Sequence, residues 1–320
     1  MNEKLLRPEF NKLKVSDKIS LMQSLSDHYQ IEFKSLYTFS RWRQSCITGV
    51  FESAGKEFVF VPGDRVTLGW QGFTTGLEKS DLNELKSVLE EYGFDGSIDD
   101  FMRANLTEPH AVDISPMLVE RSIEEIGWEA ISFSDERLQT EYRDWLEDFW
   151  KHMDSGISQY TISNSVRFVK RGVDWQPYLS RKTTYIELKN SLAKQGFSLP
   201  TPDEWSYLCG GRCRTLFAWG DSIGKKFCLR HFDTPDEARP YDLELPNFFG
   251  IIIGCDPYKS ELVDADTFMT CGGDGGEYVC GGMGRLLGYL PCSPHYRPQL
   301  RDGNINNDFD YFRHIIQINQ

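Results

Sequence analysis

The chain has 320 residues, enough for one large domain or two smaller ones, and its 40% hydrophobic and 13% aromatic content describes an ordinary packed protein. Its 48 acidic residues against 35 basic ones give a net charge of −13, which argues against nucleic acid or an anionic membrane as a partner. The opening MNEKLLRPEF has no apolar run behind its charges, and no stretch approaches the ~18 apolar residues of a membrane span. A soluble, cytoplasmic protein is therefore expected, its eight cysteines present as thiols rather than as a disulfide framework.

Residues 1–48 read as a helical extension. Ser16 is placed to cap a segment in which Ile19, Met22 and Leu25 recur at helical spacing, and an aromatic-rich stretch follows from Phe33 to Trp42. Residues 51–69 change period: Glu57 to Val61 and Val66 to Leu68 are β-rich runs split by the turn Pro62-Gly63. A helix is expected over residues 80–93, with Leu82, Leu85, Val88 and Leu89 on one face and Gly93 as its stop. Val112, Ile114, Met117, Val119 and Glu120 read as a strand, after which Glu124 and Glu125 open a small helix. Residues 134–153 form a strongly amphipathic helix through Leu138, Tyr142, Trp145 and Phe149. Residues 167–183 return to extended chain, and a helix over 185–195 ends at Gly196.

The next stretch, FSLPTPDEWSYLCGGRCRTLFAWGD, organises the second half. Thr201 and Glu204 make a capping box, Pro202 occupies the first helical position and Gly210-Gly211 stops the helix. Beyond Asp221 the chain is polar and irregular to Leu245, and then becomes glycine-dense around Cys271 and Cys280.

This stretch resembles the LPT-x-x-EW…WGD segment of the formylglycine-generating enzyme (sulfatase-modifying factor) superfamily. Glu57 to Gly69 resembles its opening strands, with Asp64 where the pattern has a second glycine. Pro246-Asn247-Phe248-Phe249-Gly250-Ile251 resembles its P-N-x-[FY]-G-L, Cys280-Gly281-Gly282 falls on its R-G-G, and Tyr296-Arg297 and Asp310 to Arg313 fall on its closing motifs. The resemblance is continuous over about 198–313 and patchy over 51–131. It implies an α+β, mixed and loop-rich fold related to C-type lectins over 49–320, with a helical insertion near 134–153 and added N-terminal helices.

It also implies chemistry. The family's oxidases bind copper through two cysteines after the R-G-G; those positions fall near Leu286 and Pro291, with Cys292 one residue from the second. The family's G-N-V-W-E-W helps hold a structural calcium, and of that motif only Glu261 survives here, so the calcium motif is degraded. From the residues themselves, a hairpin looped at 272–276 would set Cys271 and Cys280 side by side across two strands, a pair suited to Cu(I) or to disulfide cycling.

Other constellations are weaker. Cys209, Cys213, Cys228 and His231 have the residue types of a zinc site, though not its usual spacing, and Cys292 with His295 has those of a nucleophile and base. Asp264 and Asp266 fail as a calcium loop, because Met269 stands where glycine is needed, and the 272–276 glycines lack the residues of a phosphate loop. The expectation is thus a copper-dependent oxidoreductase acting on a thiol-containing peptide or small molecule. Cys280, Cys271 and Cys292 would be its catalytic residues, and Cys271, Cys280 and Glu261 its metal ligands. The alternative is a non-catalytic module that binds a small molecule, a peptide or a protein partner on the loop surface at 270–313.

Overall fold

The computed structural model describes residues 3–235 and 240–318. Helices α1 (Arg7–Lys12) and α2 (Val15–Tyr29) come first, the second burying Met22 and Leu25 while Ile19 stays in solvent. Ser16 lies inside α2 rather than capping it, and Gln30 ends the helix in a left-handed conformation.

The helical reading of 1–48 stops there. Residues 32–53 are the long hairpin β1 (Glu32–Arg41) and β2 (Gln44–Ser53), turned at Trp42-Arg43. Phe33, Tyr37, Phe39, Ile47, Thr48 and Val50 favour strand, as aromatic and β-branched residues do. A register shift between Phe33 and Ser35 breaks the two-residue alternation, which hides the strand from a periodicity reading.

Strands β3 (Lys56–Val61) and β4 (Asp64–Leu68) flank the Pro62-Gly63 turn as expected. Gly69 follows with φ +90°, so close to the neighbouring chain that a Cβ there would meet the Glu108 carbonyl oxygen at 2.3 Å. Helices α3 (Lys79–Glu91) and α4 (Ile98–Asn105) come next, α4 opened by a Ser97–Asp100 capping box. Pro116 then splits the expected 112–120 strand into β5 (His110–Ile114) and β6 (Met117–Glu120). Glu124 and Glu125 start no helix; they form the short strand β7 (Glu124–Glu125).

The segment around 134–153 is larger than the single helix expected. β8 (Trp128–Ala130), α5 (Glu136–Thr140), α6 (Arg143–His152), β9 (Gln159–Ile162), β10 (Val166–Arg171) and β11 (Asp174–Ser180) make a four-stranded sheet with helices on it. It has its own core, in which Phe149 and Phe168 stack at 4.0 Å.

Helices α7 (Tyr185–Lys194) and α8 (Pro202–Gly210) match the sequence reading closely. Both carry complete capping boxes, Thr184–Glu187 and Thr201–Glu204. Strands β12 (Ser260–Leu262) and β13 (Met269–Gly272), helices α9 (Glu277–Cys280) and α10 (Gly284–Gly288), and strands β14 (Gln299–Leu300), β15 (Asp310–Phe312) and β16 (Ile315–Gln317) complete an α+β structure. One sheet runs β1-β2-β3-β6-β16 and another β14-β13-β12-β15-β7, so the C-terminal strands tie both halves of the chain together. Of the irregular 222–245 run, residues 236–239 lie outside the described residues.

Asp221 and Asn247, two of the residues that carry the resemblance, are interior braces. Asp221 accepts from Leu216 N at 2.7 Å, Thr75 N at 2.5 Å and Gly76 N at 3.0 Å, joining the WGD turn to the loop before α3. Asn247 donates to the Leu208 carbonyl at 2.8 Å and accepts from Phe249 N at 2.9 Å. Asp64, a departure from the family's glycine, is buried and answered by Arg212 Nε at 2.6 Å. No helix of the described residues is long and apolar enough to cross a membrane.

Candidate functional site

The expected cysteine pair does not form across a hairpin. Cys271 lies in β13, whose partners are β12 and β14, and its register neighbour is Glu261. Cys280 ends helix α9 at the surface, its Sγ 2.8 Å from the Tyr258 hydroxyl. The glycine run does other work. Asp274 accepts from Gly276 N at 2.8 Å and Glu277 N at 3.0 Å and so opens α9, while Gly273 lies against the Lys259 backbone where a Cβ would not fit.

Cys292 is buried, and burial pushes the thiols of Cys271 and Cys292 well above the usual cysteine range. Burial of this kind disfavours the thiolate of each. Glu261 is fully engaged: Arg313 donates to it through Nε at 2.6 Å and Nη2 at 2.9 Å, in a pair whose guanidinium is completely buried. That pairing engages both Glu261 oxygens within the protein.

The expected zinc residues are dispersed. His231 Nε2 is 2.7 Å from Asp256, Cys209 Sγ approaches the Cys292 carbonyl, and Cys213 Sγ is 3.8 Å from His295 Nε2. His295 therefore faces Cys213 and not Cys292. Its Nδ1 is buried without a partner, and burial pushes its pKa down to about 4.

Among the described residues, one group of three donor side chains could hold a metal ion: Glu120, Glu124 and His314, with ligand atoms within 4.8 Å of one another. The C-terminal strands assemble it. β16 pairs antiparallel with β6, Ile315 opposite Val119, which brings His314 beside Glu120 at the end of β6. β15 pairs with β7, Phe312 opposite Glu124, which brings the second glutamate to the same corner. At the 313–314 link between the two strands, Arg313 turns toward Glu261 and His314 toward Glu120.

His314 Nδ1 lies 2.6 Å from Glu120 Oε2, which also accepts the His314 backbone N–H at 3.1 Å. A carboxylate acceptor fixes the imidazole proton on Nδ1. Phe197 meets the ring edge-on at 4.5 Å and Phe312 packs at 5.1 Å, so its orientation is set by packing. Glu124 is half-buried against Glu120 and paired on its other side with Lys56.

The electrostatics divide the two carboxyls. Burial alone would raise Glu120, but hydrogen bonds from His314 and Glu124 outweigh it and hold Glu120 below the usual carboxylate range. Burial and the neighbouring Glu120 carboxylate raise Glu124, with Lys56 opposing. Two carboxyls in contact need a proton or a cation between them. A cleft of about 340 Å³ opens onto both, and its rim carries Lys56, Glu57 and Arg121.

Nothing in the sequence spacing marks this group. The signal available was two glutamates four apart at strand ends and a histidine following the closing Phe312-Arg313. The sequence matches no family model and no curated protein.

Proposed function

We propose that this chain is a divergent member of the formylglycine-generating superfamily, of the mixed, loop-rich fold related to C-type lectins, that works through a divalent cation held by Glu120, Glu124 and His314. The observation that carries the reading is the convergence of two carboxylates that line an open cleft with a buried imidazole beside them. The bracing roles of Thr201, Asp221, Asn247 and Arg313 support the family part of it.

Two carboxylates and one imidazole suit zinc, manganese or iron(II) rather than the soft thiolate site expected for copper. Three protein ligands with free positions toward a cleft are the pattern of catalytic rather than structural centres. Bound there, such a cation would supply a Lewis acid and an acidified water for hydrolysis of a small substrate. The chain's own residues do the rest. Lys56 and Arg121 stand at the cleft rim paired with Glu124 and Glu57, while Phe197 and Phe312 keep the imidazole aimed at Glu120. Burial and the neighbouring Glu120 carboxylate favour a proton on Glu124, which a bound cation would replace.

The contact between Glu120 and Glu124 also supports a metal-free reading, in which Glu124 is a proton donor and Glu120 stays ionised, two carboxyls set apart by their surroundings. The copper-thiol expectation has less support, because Cys280 is at the surface while Cys271 and Cys292 are buried.

Calorimetric titration of chelator-treated protein with zinc and manganese separates these readings. One site is expected, with proton release that differs between buffers of different ionisation heat, and weaker by at least about tenfold in Glu124→Gln. Cys280→Ser should bind as the parent does. Absence of binding, or its loss only in Cys280→Ser, would overturn the proposal.

A further inference from the structure

A second cleft, of about 780 Å³, shares no lining residue with the carboxylate–imidazole group. The tip of the β1–β2 hairpin walls one side of it and the Trp219 turn another. The two hairpin-tip residues, Trp42 and Arg43, both hold left-handed backbones, with φ 52° and 62°. Two-residue hairpin turns of this kind ordinarily carry Asn-Gly, because a side chain disfavours the conformation. Strain kept at two adjacent positions marks a place where the side chains are wanted.

The side chains define what the cleft takes. Trp42 lies 5.4 Å from Trp219, which stacks on Phe217 at 4.6 Å and meets Phe227 at 5.1 Å. Trp42, Trp219 and Phe227 line the cleft, backed by the buried Phe217, and Arg41 lies over the Trp42 ring at 4.6 Å, a cluster that offers aromatic surface to a flat ring. The charges around it are mostly answered from within the protein. Arg212 pairs with Asp64, Lys226 with Glu78, and Asp221 is filled by backbone N–H donors. The guanidinium of Arg43 is exposed at the cleft and has no hydrogen-bond or ion-pair partner among the described residues. In a chain of net charge −13, an unanswered cation beside an aromatic wall selects for an anionic partner.

We infer that this cleft binds a small planar aromatic anion, its ring against Trp42 and Trp219 and its carboxylate, sulfonate or phosphate on Arg43. The site stands apart from the cation centre and does not depend on it.

The probe pair is naphthalene-2-sulfonate and the neutral 2-naphthalenemethanol, compared by calorimetry on the full chain. The sulfonate should bind about tenfold more tightly, the increment of one charge-assisted hydrogen bond. Arg43→Gln, which disturbs no internal contact, should remove that preference while keeping the ring affinity. Trp42→Leu should weaken both probes. Glu124→Gln should change neither, which separates this site from the cation centre. No binding of the sulfonate to the parent protein, or an anion preference that persists in Arg43→Gln, would overturn the inference.

Discussion

Glu261→Gln is the substitution that most sharply tests how the C-terminal strands are held. Arg313 has no solvent exposure, and its guanidinium is divided between the Glu261 carboxylate and the carbonyls of Glu120, at 3.0 Å, and Ile252, at 2.8 Å. The amide keeps the size of the side chain and one acceptor but removes the one countercharge that the guanidinium hydrogen-bonds among the described residues. A buried charge left alone in this way costs about 3–5 kcal/mol, far more than a surface pair would. For a chain of this length each kcal/mol moves the melting temperature by roughly 2 °C, so a fall of about 6–10 °C is expected. Urea unfolding followed by circular dichroism gives the free energy directly. Removing both charges in Glu261→Gln with Arg313→Met should recover at least about 1 kcal/mol relative to the sum of the singles, because no lone charge then remains. A single-variant loss under about 1 kcal/mol, or strict additivity in the double variant, would refute the reasoning.

Three further outcomes follow from the same geometry. His295 is buried and its folded pKa lies near 4 against an ordinary 6.5, so the unfolded chain binds its proton first as pH falls. Stability is full above about pH 6.5 and declines by up to about 3 kcal/mol toward pH 4, and the difference between parent and His295→Gln unfolding curves isolates that window. Gly69→Ala combines a left-handed backbone with a clash against the Glu108 carbonyl, so a loss of more than about 2 kcal/mol is expected on denaturant titration. A chromogenic disulfide reagent should modify Cys280 quickly in the native protein, and Cys280→Ser should abolish that phase, while the partly buried Cys213 reacts more slowly and the six buried cysteines only on unfolding.

Local chemistry was the legible part of the sequence. The Thr201–Glu204 cap, the helix stop at Gly196 and the Pro62-Gly63 turn are each written within a few residues, and each stands in the structure. The hairpin at 32–53 was missed because its register shift scrambles the alternation on which strand recognition depends. The Cys271–Cys280 pairing failed for a different reason. A run of glycines after a strand fits a hairpin loop, but it fits equally a helix opened by Asp274 with the backbone packed on Lys259. The Glu120–Glu124–His314 group was beyond spacing altogether, since 194 positions separate Glu120 from His314 and only the pairing of β6 with β16 brings them together. Such a site is visible only once strand order is known.

The most direct test of the cation reading is anomalous diffraction from crystals of the chelator-treated protein soaked in manganese or zinc. One strong peak is expected within bonding distance of Glu120, Glu124 and the His314 imidazole, with Lys56 displaced from Glu124, and no peak in Glu124→Gln. A peak among Cys209, Cys213 and Cys292 instead, or none at the glutamate–histidine corner, would contradict it.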